Sequence, residues 1–178
     1  SGKSTLAQQL VTALGDAAAY VPMDGFHMLH TNLQALGTVA DKGMPHTFEA
    51  AAFVELLSAL KSATGPMRAP AYSRKIEDVV PDAITVPSEA RLIVTEGNYL
   101  LLANSPWWPI RPLLDLAVHV DAPRDLVRAR LLKRHAEEGL FTEERNRAHI
   151  ERVDLPNYDL VTRNKSRADV IIELLVES

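Results

Sequence analysis

The amino-acid sequence predicts an α/β fold in which helices cover both faces of a parallel β-sheet. Short apolar segments alternate along the chain with segments of helical periodicity, which is typical of such a fold. Two of the apolar segments end in an acidic residue followed by glycine, at Asp24-Gly25 and at Glu96-Gly97. In an open parallel sheet, ligands bind outside the carboxyl ends of the strands, so these acids are expected at a functional site.

Length and composition favour one domain over residues 1–178 that acts on a small molecule. The 178 residues are 47% hydrophobic, enough for one sizeable core. A net charge of −4 gives no general attraction to nucleic acid or to an anionic membrane, and we expect neither as a partner. The absence of cysteine excludes disulfides and thiolate catalysis. No apolar run reaches the ~18 residues of a membrane span and no secretory signal is visible, so we expect a cytoplasmic protein.

The first half of the chain predicts two helices, one short strand and a ribbon. A helix follows Ser4, where leucines recur at helical spacing, and Gly15 ends it. Residues 17–23 form a short apolar segment that Pro22 limits to a strand end or an edge strand. A second helix begins after Thr47, which we expect to be its N-cap. Four prolines within residues 64–90 indicate loops and a short ribbon.

The second half alternates strands with helices. A buried strand covers residues 92–95 and another covers residues 115–121. A helix follows with leucines on one side and arginines on the other, and Gly139 ends it. The chain continues helical through residues 143–155, and residues 168–175 read as the last strand.

The opening residues match the end of a phosphate-binding loop. The complete loop reads G-x-x-x-x-G-K-S/T after a buried strand, and Ser1-Gly2-Lys3-Ser4-Thr5 supplies its last part. We expect these five residues to bind ATP, with Lys3 on the outer phosphates and the Ser4 hydroxyl on Mg²⁺, because a helix N-terminus favours anions. The alternative is a chance occurrence of these residues at a helix start. The functional protein is expected to have a central strand and a glycine turn ahead of Ser1.

Asp24 and Glu96 are the expected acids of this site. In phosphoryl transfer, one carboxylate accepts the proton of the attacking hydroxyl and another holds the metal. We assign Asp24 as the base and Glu96 to Mg²⁺. The alternative for each is a turn residue that precedes a glycine.

Arginines on a later helix form a third group. Arg130 and Arg134 are one turn apart and share a face, and Arg128 lies on the same helix. Forked guanidinium donors stabilise the charge on a transferring phosphoryl group, so Arg130 and Arg134 are expected in catalysis. Residues 137–144 are then expected to act as the edge of a small lid. The alternative is a solvated charged helix face.

The histidines and tryptophans are given other roles. His27, His30 and His46 lack a further ligand at the spacing of a structural zinc site, so zinc is discounted. His27 follows Asp24 closely and is expected to face the same crevice. Trp107 and Trp108 are expected to pack within a connection.

Taken together, these motifs resemble the P-loop kinases of small metabolites, which include uridine kinase, bacterial pantothenate kinase and phosphoribulokinase. "SGKST" resembles the end of their phosphate loop, "DGFH" the segment with their catalytic aspartate, and "EGNYLL" their Glu-Gly strand end. "PAYSRKIEDVV" is similar to a substrate segment of pantothenate kinases, "RARLLKRH" to the lid arginines, and "ADVII" to the strand before an adenine-contacting turn. The chain looks most like a bacterial branch of which some members are described as fructose-uptake-linked sugar kinases.

The resemblance implies a P-loop-type parallel sheet and transfer of the γ-phosphate of ATP, with Mg²⁺, to a hydroxyl of a small metabolite such as fructose. Nucleoside and pantothenate kinases are the alternatives, and Arg74, where pantothenate kinases have histidine, argues against pantothenate. A nucleotide switch or accessory ATPase is the alternative of another class. Relatives often form dimers, so a homodimer fits the resemblance. The expected substrate contacts are His27, Tyr72, Arg74, Asn98 and Tyr99.

Overall fold

A computed structural model describes residues 2–139 and 142–174 of the chain. The described residues form two compact units, one of residues 2–114 and one that begins at residue 115. The expectation of one domain over residues 1–178 stays a prediction. Across the described ranges, every helix is too short or too polar to span a bilayer.

The first unit combines a parallel strand pair, an antiparallel ribbon and three helices. Its elements in chain order are α1 (Lys3–Leu14), β1 (Ala18–Tyr20), α2 (His30–Leu36), α3 (Ala50–Ser62), β2 (Met67–Ser73), β3 (Asp78–Val86) and β4 (Leu92–Val94). Strand β1 pairs in parallel with β4. Strands β2 and β3 form the antiparallel ribbon that the prolines indicated, with an irregularity between Ala69 and Ala71.

The predicted end of the first helix is confirmed, whereas its start lies at Lys3, ahead of the start expected after Ser4. Gly2 precedes α1 with a left-handed φ of 87°, and Gly15 follows it with a φ of 59° and donates its N–H to the Val11 carbonyl. Both conformations suit glycine, which has no Cβ to clash. The apolar spacing is that of a helix, yet Leu6 and Leu10 remain 42% and 47% exposed in the described chain.

Helix α3, which corresponds to the second helix of the sequence prediction, begins later than expected. It starts at Ala50, so the prediction of Thr47 as its N-cap is wrong. The Thr47 hydroxyl is fully buried, accepts a hydrogen bond from the Gly43 N–H and donates one to the Met44 carbonyl. This hydroxyl stabilises the turn before the helix, and Glu49 occupies the N-cap position instead.

An aromatic cluster forms part of the core of the first unit. Phe48, Tyr99 and Trp107 contact one another, with ring centroids 5.1 to 5.9 Å apart. Tyr99 and Trp107 are almost completely buried. Packing is therefore confirmed for Trp107, whereas Trp108 is 55% exposed and its predicted packing role is wrong.

The second unit has its own parallel pair and a helical layer. Its elements are β5 (Val118–Asp121), α4 (Arg124–Glu138), α5 (Glu143–His149), a π-helical turn (Ile150–Asp154), α6 (Leu155–Arg163) and β6 (Val170–Glu173). Strands β5 and β6 are paired in parallel. Helix α4 ends where the sequence predicts, at Gly139 in the left-handed conformation.

Candidate active site

Parallel pairing brings the ends of β1 and β4 to the same edge of the first unit. Tyr20 pairs with Val94, and the ladder continues beyond the strands because the Met23 N–H donates to the Glu96 carbonyl at 2.9 Å. Asp24 follows Met23 in a short 3₁₀ turn, Met23–Phe26. The two acids that the sequence singles out therefore follow neighbouring strand ends.

The Glu96 carboxylate is the centre of a buried polar cluster. Its Oε1 accepts a hydrogen bond from Ser4 Oγ at 3.0 Å and another from the Tyr20 hydroxyl at 2.8 Å. Its Oε2 lies 3.3 Å from Lys3 Nζ in an ion pair. Glu96 is 8% exposed. Burial, reinforced by the nearby Glu96 carboxylate, raises the pKa of Tyr20 well above its usual value.

This cluster has the chemistry of a magnesium site. A hydroxyl and a carboxylate are oxygen ligands of the kind Mg²⁺ prefers. Glu96 Oε2 is buried without a well-directed hydrogen bond, so it has coordination capacity left. Within residues 2–139 and 142–174, no group of three or more His, Asp or Glu side chains forms a metal site. Mg²⁺ beside phosphates needs only one or two protein ligands, so Ser4 and Glu96 fit it.

The start of α1 suits a phosphate group. The helix begins at Lys3 without a side-chain cap, and the first N–H groups of a helix have no intrahelical acceptor. These N–H groups and the helix dipole favour an anion, and Lys3 adds a full positive charge. The predicted contacts Gly2, Lys3, Ser4 and Thr5 lie in this segment, while Ser1 lies outside the described residues.

A cavity of about 250 Å³ joins this cluster to Asp24. Its lining comes from the polar cluster around Glu96, from the 3₁₀ turn that carries Asp24 and from the ribbon. The residues that line it are Ser4, Gln8, Tyr20, Pro22, Asp24, Ala71, Tyr72, Arg74, Ile84 and Glu96. The structure therefore brings together five of the predicted residues, Ser4, Asp24, Tyr72, Arg74 and Glu96. It adds Tyr20 and Gln8, which the sequence analysis missed.

Gly25 allows the ribbon to approach the turn that carries Asp24. A Cβ placed on Gly25 would lie 2.2 Å from the Pro70 carbonyl oxygen and 2.8 Å from the Pro70 carbonyl carbon. Real Cβ atoms do not come this close to backbone atoms, so only glycine fits. The close approach places Tyr72 and Arg74 of the ribbon in the same cavity as Asp24.

His27 packs against Tyr72, a residue of the cavity wall, without lining the cavity itself. Its ring packs on Phe48 and Tyr72, with centroids 4.0 and 4.7 Å away, and its Nδ1–H donates to the Asp24 carbonyl at 2.8 Å. Burial lowers the pKa of His27, and the nearby Lys42 charge acts in the same direction. The imidazole is absent from the residues that line the cavity. A substrate contact by His27 stays a prediction.

Two other predicted substrate residues lie elsewhere. Tyr99 is fully buried, and its hydroxyl donates to the Gly43 carbonyl. Its ring belongs to the aromatic core, so its role in this structure is packing. Asn98 is exposed and does not line the cavity. Neither residue is brought to the Asp24 side of the site.

The predicted arginines belong to the second unit. Arg130 and Arg134 lie on α4 with exposed side chains, and Arg128 of the same helix pairs with Glu151 at 2.8 Å. Their action on a phosphoryl group stays a prediction. The predicted lid edge, residues 137–144, includes Leu140 and Phe141, which lie outside the described residues.

The second unit contains a larger cavity of about 380 Å³ at the carboxyl ends of β5 and β6. An ion pair lies at its wall, with Lys165 Nζ 2.6 Å from Asp121 Oδ2. The sequence predicts an adenine-contacting turn after the last strand. That strand is confirmed as β6, and residues 175–178, where the turn would follow, lie outside the described residues.

Comparison with known proteins gives consistent matches. A sequence model of the Phosphoribulokinase / Uridine kinase family matches residues 1–178. A Schizosaccharomyces pombe protein named "Putative uridine kinase C227.14" is 33% identical over 186 residues, which cover 98% of this chain and 79% of that protein. The Escherichia coli protein YggC, named as uncharacterised, is 35% identical over 157 residues. This match covers 88% of the chain but only 64% of YggC, less than two thirds of its length.

Solved structures of other proteins are also similar, among them one that matches almost the whole chain. It is described as a "putative fructose transport system kinase" from Silicibacter sp. TM1040. The TM-score is 0.87 at 31% sequence identity, and the match covers 96% of this chain and 83% of that chain.

Proposed function

The chain belongs to the phosphoribulokinase/uridine kinase family and is a kinase with the P-loop kinase fold, and from this premise we propose that it phosphorylates a hydroxyl of a small sugar. The donor in this proposal is ATP with Mg²⁺. One observation carries the proposal. A single cavity is lined by the base candidate Asp24, by the metal-side pair Ser4 and Glu96, and by the ribbon residues Tyr72 and Arg74.

Each group has a role in an in-line displacement. Asp24 accepts the proton of the substrate hydroxyl while the hydroxyl oxygen attacks the γ-phosphorus and the bond to the β,γ-bridging oxygen breaks. Lys3 and the N–H groups at the start of α1 hold the phosphates and offset their growing charge. Mg²⁺, held by Ser4 and Glu96 when bound, supplies further charge neutralisation. The products are ADP and a phosphate monoester.

A sugar suits the chemistry of the cavity wall. Seven of its ten lining residues have polar side chains, and only Pro22, Ala71 and Ile84 are apolar. A molecule with a hydroxyl on almost every carbon can pair many of these groups, whereas a mainly apolar molecule would leave buried donors and acceptors unpaired. The similarity to a protein described as a fructose transport system kinase supports the same choice.

The proposal is tested by measuring ADP release with Mg-ATP and candidate acceptors, each at the same concentration. We expect turnover with ketohexoses or aldohexoses and none with uridine, cytidine or pantothenate. If only a nucleoside or only pantothenate were turned over, the proposed acceptor would be that compound and not a sugar. ADP release that does not depend on any acceptor would favour the switch or accessory ATPase instead. The Asp24→Asn variant is the control for contaminating kinases, since true transfer must weaken in it.

A further inference from the structure

We propose that Tyr20 is a positioning residue that holds the Glu96 carboxylate in the orientation in which it meets the metal. The proposal rests on the proposed function, because it takes Glu96 as the metal-side acid. The observation behind it is the hydrogen bond from the Tyr20 hydroxyl to Glu96 Oε1 at 2.8 Å. It joins two residues 76 positions apart in the chain.

Tyr20 differs from Lys3 and Ser4, the other two partners of Glu96, because it has no second role when nucleotide and metal bind. Lys3 pairs with Oε2 and the Ser4 hydroxyl donates to Oε1. Both groups have another task when nucleotide binds, since a P-loop lysine serves the phosphates and the hydroxyl serves the metal. The phenol hydroxyl of Tyr20 has no such competing task. It alone among these three partners is able to keep the carboxylate oriented throughout.

The strand register makes this contact a fixed one. Tyr20 is paired with Val94 in the parallel ladder, and Glu96 follows Val94 by two residues. Residues two apart on an extended chain face the same side of a sheet, so the Tyr20 ring and the Glu96 side chain are on a common face. Hydrogen bonds from the Val21 N–H to the Val94 carbonyl and from the Met23 N–H to the Glu96 carbonyl continue this register beyond Tyr20. Tyr20 therefore does not need to move to reach Glu96.

Groups that hydrogen-bond a metal-binding carboxylate fix its orientation, and losing one typically costs about 10–100-fold in metal affinity. The test compares Tyr20→Phe with the wild-type chain. Mn²⁺ replaces Mg²⁺ as a paramagnetic probe, and its affinity in the presence of a non-hydrolysable ATP analogue is read by electron paramagnetic resonance. We expect Mn²⁺ affinity to fall about 10–100-fold in Tyr20→Phe. Binding of the analogue in EDTA should stay at the wild-type level, which also reports an intact fold. Wild-type Mn²⁺ affinity in Tyr20→Phe overturns the proposal.

Thr95→Val is the matched control. The Thr95 hydroxyl donates to the Val21 carbonyl at 2.7 Å, so this variant also removes one side-chain hydrogen bond between the two strand segments, beside Glu96 but not to it. We expect Mn²⁺ affinity to be retained in Thr95→Val. An equal loss in both variants would mean that Tyr20 acts only through strand stability, and would overturn the positioning role.

Glu96→Gln separates the two proposals. Unchanged Mn²⁺ affinity in Glu96→Gln would remove the metal role of Glu96, and the Tyr20 proposal would fall with it. Loss in Glu96→Gln together with wild-type affinity in Tyr20→Phe would overturn only the role of Tyr20. If Tyr20 acts through Glu96, adding Tyr20→Phe to Glu96→Gln should weaken Mn²⁺ binding no further, because substitutions at coupled sites are not additive. Full additivity in the double variant would contradict the proposal. Steady-state kinetics should show a raised KM for Mg²⁺ with kcat largely recovered at saturating metal.

Discussion

The Lys3 ammonium group lies 3.3 Å from Glu96 Oε2, so the lysine that the loop offers to phosphate is paired with a buried carboxylate. Glu96 is 8% exposed, and a carboxylate that deep needs a cationic or hydrogen-bonding partner. The pair keeps Lys3 at the strand edge where the Ser4 hydroxyl also lies. In the proposed function Lys3 binds a phosphate and Glu96 binds the metal, and the ion pair places these two charged groups side by side.

Lys3→Ala should lose most nucleotide affinity. A hydrogen bond to a charged group contributes about 1.5–3 kcal/mol, which corresponds to a loss of about 10- to 150-fold in affinity for ATP. The measurement is isothermal titration of the full-length protein with ATP and Mg²⁺. Lys61→Ala, which removes an exposed lysine at the end of α3, is the control and should bind ATP normally. Wild-type affinity in Lys3→Ala would contradict the loop assignment.

Asp24→Asn should lower kcat without lowering nucleotide affinity. General base catalysis contributes about 10²- to 10⁴-fold, and asparagine keeps the size of the side chain while removing the basic oxygen. The comparison needs both kcat with the best acceptor and the dissociation constant for ATP. Asp16→Asn makes the same chemical change at an exposed position after α1 and should keep full activity. If Asp24→Asn transferred phosphate at the wild-type rate, Asp24 would not be the base.

The sequence predicts the parts of this site that depend on backbone position. Lys3 and Ser4 begin a helix, and Glu96 follows a strand, so their convergence requires only that the strands be parallel. The structure places Ser4 Oγ 3.0 Å from Glu96 Oε1, although 92 positions separate them in the chain. The approximate limits of α1, α4 and the ribbon follow for a similar reason, because glycines and prolines constrain the backbone locally.

The direction in which a side chain points could not be predicted from the sequence. Tyr20 faces Glu96 because β1 pairs with β4 in one register, and a slip of one residue would turn its ring to the other face. Tyr99 lies in an irregular segment without periodicity, and its ring is directed inward by contacts with Phe48 and Trp107. Such contacts exist only after distant segments have packed, so a pattern along the chain does not contain them.

Gly25→Ala should destabilise the protein and weaken catalysis together. The new methyl group would lie 2.2 Å from the Pro70 carbonyl oxygen, so the Asp24 turn and the ribbon must separate. Overpacking of this kind costs about 1–3 kcal/mol. Urea unfolding and kcat should both report the change. Gly65→Ala is the matched control, because a Cβ there meets no atom within 4 Å, and it should leave stability and kcat unchanged. Equal behaviour of the two variants would contradict the close approach at Gly25.

The free energy of unfolding should decrease as the pH drops below the usual pKa of histidine, and His27 should contribute to this decrease. Burial between Phe48 and Tyr72 lowers the pKa of His27 from 6.5, and burial also lowers the pKa of His119 and of His149. Because each folded pKa is below the unfolded one, the unfolded chain binds protons first as the pH falls. The contribution of these histidines to the free energy of unfolding is therefore fully present above pH 6.5, and it is lost as the pH falls from 6.5 towards the folded pKa values.

Urea unfolding at about pH 7.5 and about pH 5.5 measures this loss, whose slope is at most about 1.4 kcal/mol per pH unit for each histidine. In His27→Gln the loss between the two pH values should be smaller, because glutamine does not titrate. Any reduction in stability that the substitution itself causes appears at both pH values and cancels in the difference. Above pH 6.5, wild type and His27→Gln should show parallel pH profiles, which is the internal control. Acid titration of the Lys165-paired carboxyl Asp121, whose pKa is lowered from 3.8, falls in a lower pH range and does not interfere. An NMR titration of the His27 ring with a pKa at or above 6.5, or an equal pH-dependent loss in His27→Gln, would contradict the prediction.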